Sequence, residues 1–302
     1  MNSIPTISNS IIKRYNNPGT LVVVSPYPKR GELYSTGKTG VASYTKNVIK
    51  NMRRRVIVLC DIDDTPESYI ENHILVIRCF TKGRADMWTD IIRVLRLFPE
   101  AKTTLTQYDF AMYGNPIVSS LGLLFLGFLR IQKYRTFVTL HHVVDDVMKL
   151  KGHVGLGSGP KDQFIGDTYN LLFHTFYRIL AFVSSCVIVL ETSLQEKMET
   201  LAPWVKAAAI PHGVDTTLKP ISTKLARKKL GIPSKDHVIL FFGYINWFKG
   251  ADIFARTFAR VKTMLGKRTH VIIAGGESPT LSDKHYYQNF LRGVKEEVQA
   301  SH

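Results

Sequence analysis

The sequence has 302 residues, of which 45% are hydrophobic and 21% charged, a composition typical of globular proteins that argues against a disordered or fibrous chain. The formal net charge of +16 favours an anionic partner, either a phosphorylated substrate or an anionic membrane; no nucleic-acid recognition motif occurs, so we expect no nucleic-acid partner. Cys60, Cys79 and Cys186 lie singly in apolar runs, which predicts reduced buried thiols in the cytoplasm and neither a disulfide nor a metal site.

The N-terminal part contains a Gly-rich stretch after the first predicted strand. Residues 1–19 lack the apolar core of a secretory signal, and we expect a flexible segment there. The run LVVVS (21–25) predicts a strand, and GELYSTGKTG (31–40) follows it. Five residues, instead of the four a nucleotide phosphate loop needs, separate Gly31 from the Gly37-Lys38 pair. We therefore expect no ATP or GTP hydrolysis.

Further β-rich runs alternate with helix-length segments along the chain. The runs are RVIVLC, HILVIR, TTLTQY, TFVTL, CVIVL and AAAIP, and after a polar connection HVILFFG and THVIIAGG. Strands that alternate with helices predict an α/β fold with doubly wound parallel sheets. We expect one Rossmann-like domain over 20–211, a linker over 212–236 and a second Rossmann-like domain over 237–302. The second domain is predicted to be incomplete, because a sheet of two strands cannot bury both of its faces.

Two segments raise the question of a membrane. The apolar run over 171–190 contains His174 and Arg178 and becomes β-branched towards its end, which predicts a buried helix that leads into a strand. A helix over 41–55 places Val41, Tyr44, Val48 and Met52 on one face and Lys46, Lys50, Arg53 and Arg54 largely elsewhere. That basic surface is either a contact for anionic lipid or a solvated face.

Polar residues follow the predicted strands in both domains. In open α/β sheets ligands bind beyond the carboxyl ends of the strands, so these residues predict a cleft between two sheets. They lie in the loop 25–40, in Gln107-Tyr108-Asp109, His141-His142, Glu191 and Pro211-His212-Gly213, and in the loops 243–250 and 275–277.

Six segments together resemble the group 1 (family 4) glycosyltransferases, which have the two-Rossmann GT-B fold. They are GVASYTKNVIKNM, TLHHVVDDV, VIVLETSLQEKM, IPHGVD, FFGYINWFKGADIFARTFARV and VIIAGGE, in the family's order along nearly the whole chain. The resemblance implies a GT-B fold and transfer of a sugar from a nucleotide-sugar such as a UDP- or GDP-sugar, with retention and without a metal or further cofactor. It also implies a glycan or lipid-linked acceptor at the N-terminal domain, the donor at the C-terminal domain, and a cytoplasmic protein that can lie at the inner membrane face.

The resemblance also assigns roles to individual residues. His141, directly after TFVTL, corresponds to the family's His at the transferred sugar; the alternative is a structural His at a strand end. Lys249 of WFKG corresponds to the Lys on the leaving diphosphate, where negative charge grows. Gly40 ends the Gly-rich loop that approaches the diphosphate from the acceptor side.

Further candidates complete the predicted site. Gly213 and Gly243 are predicted to bind the donor. Asp109 and Tyr44 are candidates on the acceptor side, although Asp109 could equally serve as a helix cap or turn residue. Asp145 and Asp146 are weaker candidates for acceptor contact.

The sequence departs from the family pattern in two places. The family commonly has an Arg shortly before the Lys, where Tyr244 and Asn246 stand here. Its EX7E element, which contacts the sugar and the ribose, should follow VIIAGGE and is not reached by residue 302. We therefore expect an incomplete donor pocket, which leaves a truncated chain, a second polypeptide and a non-catalytic or degenerate subunit as alternatives.

Overall fold

A computed structural model describes residues 4–32, 40–110, 112–213, 219–265, 268–278 and 281–300. The chain forms two compact units, the first from residues 1–145 and 169–215 and the second from residues 146–168 and 216–302. The structure thus differs from the predicted first domain, which included residues 146–168. A short helix within that segment lies against the turn Trp247–Lys249 of the second unit.

The first unit is built on one large sheet. Its strands are β1 (Leu21–Val24), β2 (Val56–Asp61), β3 (Glu67–Glu71), β4 (Ile74–Phe80), β5 (Thr103–Tyr108), β6 (Arg135–Leu140), β7 (Cys186–Val189) and β8 (Ala207–Ala209). Their order in the sheet is β3-β4-β2-β1-β5-β6-β7-β8, and only β3 is antiparallel to its neighbour. This predominantly parallel sheet confirms the predicted α/β class.

Helices connect the strands. They are α1 (Asn9–Tyr15), α2 (Gly40–Ile49), α3 (Met87–Leu95), α4 (Pro116–Ser120), α5 (Gly122–Ile131), α6 (Lys151–Val154), α7 (Pro160–Val183) and α8 (Thr192–Leu201). Local sequence sets several of their ends: Ser8 caps α1, and Asn115 caps α4 ahead of Pro116 at its first position. Helix α7, predicted from the apolar run over 171–190, begins before that run, at Pro160.

Alternate residues of β1 show why the sheet has helices on both faces. Leu21 and Val23 belong to one buried apolar cluster, whereas Val22 and Val24 belong to another. Successive strand residues point to opposite faces, so both faces of the sheet are covered. The continuous apolar runs of β1, β2 and β4 are the sequence signature of that arrangement.

The N-terminal segment differs from the flexible one we expected. Residues 9–15 form α1, and Tyr15 is fully buried in the larger core cluster. Ile4, Ile7 and Ile11 pack against the same cluster. The apolar side chains of this segment, although too sparse for a secretory signal, suffice to attach it to the sheet.

Helix α2 buries a different face from the one predicted. Its buried residues are Val41, Ala42, Thr45 and Ile49, and the helix ends at Ile49 instead of continuing to Arg55. Lys46 is largely buried: its Nζ donates to the carbonyl of Glu32 (2.6 Å) and pairs with Glu71 (3.0 Å). The basic face predicted for α2 therefore loses its central lysine to an internal ion pair.

The second unit contains a two-stranded parallel sheet. Strands β9 (His237–Phe242) and β10 (Thr269–Ala274) pair in register, and α9 (Thr223–Leu230), α10 (Ala251–Leu265) and α11 (His285–Ala300) accompany them. Helix α9 lies within the segment predicted to be a linker. No helix in the described part of the chain is both long and apolar enough to cross a membrane, and the run over 171–190 is divided between α7 and β7 as predicted.

Candidate active site

His141 lies at the carboxyl end of β6, beside the end of the neighbouring strand β5. Its Nε2 is 2.9 Å from Oε1 of Gln107, and both side chains are buried. An amide oxygen only accepts hydrogen bonds, so with Gln107 in this orientation Nε2 of His141 carries the proton. Nδ1 therefore retains its lone pair and can accept a hydrogen bond from a ligand.

Two further rings surround the His141 imidazole. The ring of Tyr44, on α2, contacts it edge-on with centroids 5.1 Å apart, and also contacts His212, after β8, at 4.8 Å. The two imidazole centroids are 6.2 Å apart. Three elements that are distant in the sequence thus converge at one edge of the sheet, and Tyr44 lies between the two histidines.

This environment keeps His141 neutral. Burial lowers the pKa of His141 to about 4, against the opposing influence of the Asp109 carboxylate and with a further small lowering by His212 and His142. Burial also raises the pKa of the Tyr44 hydroxyl. At neutral pH the imidazole therefore offers hydrogen bonds without a positive charge.

Asp109 and His142 form a pair next to this cluster. Nδ1 of His142 lies 3.0 Å from Oδ2 of Asp109, and the His142 ring is largely exposed. Asp109 is also a turn residue, because its backbone carbonyl accepts the N–H of Met112 at 3.1 Å. Its predicted contact with an acceptor stays a prediction. Asp145 pairs with Lys197 (3.3 Å), and Asp146 caps a short turn through the backbone N–H of Met148.

The start of α2 is fixed against the end of β1. Ser25 and Thr45 are buried, and their hydroxyl oxygens are 2.8 Å apart. Gly40 begins the helix, and no described atom lies within 4 Å of a Cβ built on it. Gly37 and Lys38, the pair considered for a phosphate loop, lie outside the described residues.

A buried arginine anchors the segment that follows β1. Arg78 on β4 is fully buried; its guanidinium donates to the carbonyls of Pro28 (2.5 Å) and Asp61 (2.9 Å) and pairs with Asp63 (2.9 Å) and Glu67. The run HILVIR contained this residue, but nothing in the sequence distinguished it from a solvated strand end. Arg78 fixes the backbone that leads towards the Gly-rich loop.

In the second unit, two glycines permit the strand ends to approach each other. Gly243 follows β9 with φ +138°, and a Cβ on Gly275, after β10, would collide with the carbonyl oxygen of Gly243. The amide of Gly243 donates to Ala274 (3.1 Å). A side chain would be strained at Gly243 because of its positive φ and would clash with the backbone at Gly275. Because neither position carries a side chain, a ligand can approach the backbone of this loop.

Asn246 has a structural role at the place where the family commonly has an arginine. It is buried, and its Oδ1 accepts the backbone N–H of Lys249 at 3.1 Å, so it caps the turn Trp247–Lys249. Tyr244 is exposed. Lys249 is also exposed and immediately precedes Gly250 (φ +74°) and the first residue of α10. A cationic side chain therefore lies beside the start of a 15-residue helix.

Tyr287 joins the two strand-end loops of the second unit. Its hydroxyl donates to the carbonyl of Ile245 (2.8 Å) and accepts the N–H of Ser278 (2.7 Å), while Ile245 bridges Glu277. The loop that carries Glu277 is thereby held next to the loop that carries Gly243. Glu277, the last residue of the VIIAGGE segment, lies beyond the carboxyl end of β10, as predicted for residues 275–277.

The remaining predicted residue, Gly213, is exposed beyond β8 and next to His212. Sequence reasoning placed Gln107 and His212 at strand ends but gave neither a role. The usable signal was a polar residue at the end of an otherwise apolar run. Among the described residues no group of three His, Cys, Asp or Glu side chains could hold a metal ion.

Sequence comparison identifies a sugar-transferring relative. Over 97 residues the chain is 36% identical to the D-inositol 3-phosphate glycosyltransferase of Corynebacterium aurimucosum. The match covers 30% of this chain and only 23% of the relative. No family model matches the sequence.

Structural similarity extends over nearly the whole chain. The structure resembles sucrose-phosphate synthase from Thermosynechococcus elongatus, with a TM-score of 0.62 and 14% identity, over 92% of this chain and 67% of that one. It also resembles Anabaena HepE, crystallised with UDP-glucose, with a TM-score of 0.55 and 14% identity, over 93% of this chain and 65% of that one. The predicted resemblance to glycosyltransferases is confirmed: the chain has the α/β fold of the GT-B glycosyltransferases, and over 97 residues its sequence is similar to that of a glycosyltransferase.

Proposed function

We propose that the chain is a retaining glycosyltransferase polypeptide that moves a sugar from a UDP- or GDP-sugar to a glycan or lipid-linked acceptor. The observation that carries this proposal is the neutral, buried His141 at the end of β6, oriented by Gln107 and flanked by Tyr44 and His212. The similarity to a glycosyltransferase and to a protein crystallised with UDP-glucose supports the substrate class.

His141 would act by accepting a hydrogen bond from a hydroxyl of the transferred sugar through Nδ1. Positive charge develops on the sugar ring as the bond to the leaving group breaks in glycosyl transfer. An imidazolium beside that ring would oppose the developing charge, whereas a neutral imidazole positions the sugar without this penalty. The lowered pKa of His141 therefore suits the role.

The second unit would hold the diphosphate of the donor. Negative charge grows on the diphosphate as the sugar leaves, and Lys249 offers an exposed cation beside the start of α10. The glycine loop at Gly243 lets backbone groups approach the anion. This scheme needs neither a metal ion nor a further cofactor, because Lys249 and the helix start would supply the positive potential.

A cytoplasmic location belongs to the same proposal. Its support is the three cysteines, which form no disulfide in the described structure and of which Cys60 and Cys79 are buried. Gly40 and Gly213 are proposed to lie against the donor, and Asp109 and Tyr44 towards the acceptor. No atom of the described residues lies within 4 Å of a Cβ built on Gly40 or Gly213, which is compatible with a close ligand.

The test compares two adjacent histidines in the full chain. His141→Ala should reduce release of nucleoside diphosphate from UDP-glucose or GDP-glucose, with glucose or a membrane lipid extract as acceptor, by about 100-fold or more. His142→Ala, whose ring is exposed, is the matched control and should stay within a few-fold of the wild type. Equal activities of the two variants would contradict the role of His141, and inversion of the anomeric configuration in the product would contradict retention.

A second candidate function is a glycosyltransferase-like subunit without donor chemistry. The capping role of Asn246 favours it, because this side chain serves the local backbone at the place where the family commonly has a charged group. Calorimetry with UDP-glucose and GDP-glucose separates the two. Absence of binding heat for both, from a chain whose circular dichroism shows it to be folded, would favour the subunit.

A further inference from the structure

Two helices of the first unit expose large apolar side chains to solvent. On α5 these are Leu124 (71% exposed) and Ile131 (78%), and on α7 they are Leu172 (58%), Ile179 (42%) and Phe182 (61%). Leu124 and Ile131 are seven residues apart, as are Leu172 and Ile179, so each pair lies on one side of its helix. Isolated exposed apolar residues are common, whereas a continuous group marks a contact surface.

These residues belong to one surface. Helix α5 connects β5 to β6 and α7 precedes β7, and β6 pairs with both strands. The inward residues Phe125 of α5 and Tyr177 of α7 lie in the same core cluster. On the outer side the guanidinium of Arg130 is 4.7 Å from the ring centre of Phe182. We call Leu124, Arg130, Ile131, Leu172, Ile179 and Phe182 the α5–α7 patch.

The charge of the surrounding chain has one sign. Residues 110–144, which include α4, α5 and β6, contain no Asp or Glu, and neither do residues 168–190. The same segments contribute Arg130, Lys133, Arg135 and Arg178, all of them exposed. An apolar surface with Arg130 packed on it and further exposed basic residues next to it in the sequence is complementary to the interface of an anionic bilayer. There apolar groups enter the acyl boundary and cations meet the headgroups.

We propose that the α5–α7 patch docks the protein on an anionic lipid membrane. Leu124, Ile131 and Phe182 enter the interface, while Arg130, Lys133 and Arg135 contact lipid phosphates. The inference rests on the proposed function in one respect: docking would bring the protein to the membrane that holds a lipid-linked acceptor. Vesicle binding requires neither donor nor acceptor, so the docking and the transfer can fail independently.

Two other readings of the exposed surfaces fit less well. The patch as a two-fold contact between copies of the chain would bring basic residues of one copy close to those of the other without intervening carboxylates from these segments. Helix α2, the basic helix favoured by sequence, has its central Lys46 in an internal pair with Glu71. The α5–α7 patch combines exposed apolar area with uncompensated sequence charge, which α2 does not.

The first test asks whether membrane binding depends on where the positive charges lie, and it compares two variants that remove the same net charge. The full chain is sedimented with vesicles of phosphatidylcholine alone and with vesicles in which roughly 30% of the lipid is the anionic phosphatidylglycerol. The variant Arg130→Gln/Lys133→Gln/Arg135→Gln should lose about 10-fold or more of its affinity for the anionic vesicles. The control Lys224→Gln/Lys228→Gln/Lys229→Gln removes three exposed charges from α9 and should lose far less.

The second test measures insertion of the apolar residues. Leu124→Ser/Ile131→Ser/Phe182→Ser should weaken binding to the anionic vesicles, whereas Leu230→Ser/Ile253→Ser/Met264→Ser, which changes three exposed residues of the second unit, should not. If the triple variant fails to fold, a polarity-sensitive dye on Ile131→Cys replaces it. Its emission should shift to the blue with anionic vesicles, and a dye on Met264→Cys should show no shift.

Several outcomes would overturn the proposal. Equal losses in the α9 control and in the α5–α7 charge variant would show that binding follows net charge alone. Absence of binding to anionic vesicles at low salt would exclude membrane docking. A dimer that the serine variant converts to a monomer, together with no vesicle binding, would show that the patch joins two copies of the chain.

Discussion

The two sheets of this protein contain the same kinds of residues in very different surroundings. Strands β2 and β4 are buried along their whole length between neighbouring strands and covering helices. Strand β9 has an equally apolar sequence, HVILFF, yet five of its six residues are exposed, and Phe242 is 82% exposed. Among the described strands it pairs with β10 alone, along one edge. An apolar run therefore predicts a strand, whereas its burial depends on the neighbours that the rest of the chain provides.

The largest contrast between the units is expected for two arginines. Arg78→Ala removes a fully buried cation and leaves the carboxylates of Asp63 and Glu67 without it, which should destabilise the first unit by about 3–5 kcal/mol. Arg268→Ala in the second unit removes a largely exposed partner of Asp236 and should cost far less, because solvent screens an exposed pair. Hydrogen exchange of peptides from each unit measures both effects separately. Similar losses would show that the burial contrast has no energetic counterpart.

Two isoleucines in the middle of parallel strands give the next contrast. Ile77→Ala on β4 leaves a cavity at a fully buried position and should cost about 2–5 kcal/mol. Ile239→Ala on β9 truncates a side chain that is already more than one-third exposed and should cost about 1 kcal/mol. Urea unfolding, followed in each unit by hydrogen exchange, measures the difference. A cost at Ile239 as large as that at Ile77 would show that β9 is covered in solution.

The sequence predicted the strands of both sheets better than it predicted their burial. Apolar runs identified every strand except β3, whose sequence ESYIE is polar and short because it lies at the edge of the sheet. The position of His141 was also predictable, since it directly follows an apolar run. Its partner was not, because the Gln107 to His141 hydrogen bond depends on how β5 and β6 pair, and sequence periodicity does not specify that register.

Helix α2 shows a second limit of pattern reading. A face of four apolar residues at helical spacing was predicted, but the helix is buried through Ala42, Thr45 and Ile49. Thr45 is polar, and its burial is satisfied by the hydroxyl of Ser25. A hydrogen bond between residues twenty positions apart is not visible in a hydrophobic pattern, so the predicted face was rotated relative to the observed one.

The pH dependence of stability should also separate the units. Because the pKa of His141 is lowered to about 4 in the folded chain, from an ordinary value of about 6.5, its contribution to stability is fully present above pH 6.5 and is lost as the pH falls towards 4. In the second unit the pKa of Asp236 is lowered by its hydrogen bond with His270, so that contribution persists until lower pH. His141→Gln should therefore weaken the pH dependence of stability between pH 6.5 and 4 in the first unit and leave that of the second unit unchanged.

A change at Gln107 sharpens this test. Gln107→Glu places a carboxylate at the hydrogen-bonding position of His141 and should raise the pKa of His141 to its ordinary value of about 6.5 or above. Gln132→Glu adds the same charge at an exposed position and serves as the control. NMR titration of the imidazole measures both. An unchanged His141 pKa in Gln107→Glu would show that the two side chains do not interact in solution.

The smallest effect on stability is expected at the most exposed residue of β9. Phe242→Ser should change the stability of the second unit by only about 0.5 kcal/mol, because the ring is already largely in water and little apolar area is returned to solvent on unfolding. Phe80→Ser, at the end of β4, replaces a ring of the same kind that is fully buried and should unfold the first unit or cost it about 3 kcal/mol or more.

The same Phe242 substitution should have a visible effect on association. An exposed apolar strand whose second edge is paired by no described strand is a site at which chains self-associate. Phe242→Ser should therefore raise the concentration up to which the protein stays monomeric in light scattering. Ile117→Ser removes an apolar side chain of similar exposure (75% against 82%) from a helix instead of a strand and should change association less. If Phe242→Ser instead destabilised the second unit strongly, β9 would be buried in solution, and the contrast between the two sheets would reflect the partners of β9 instead of its sequence.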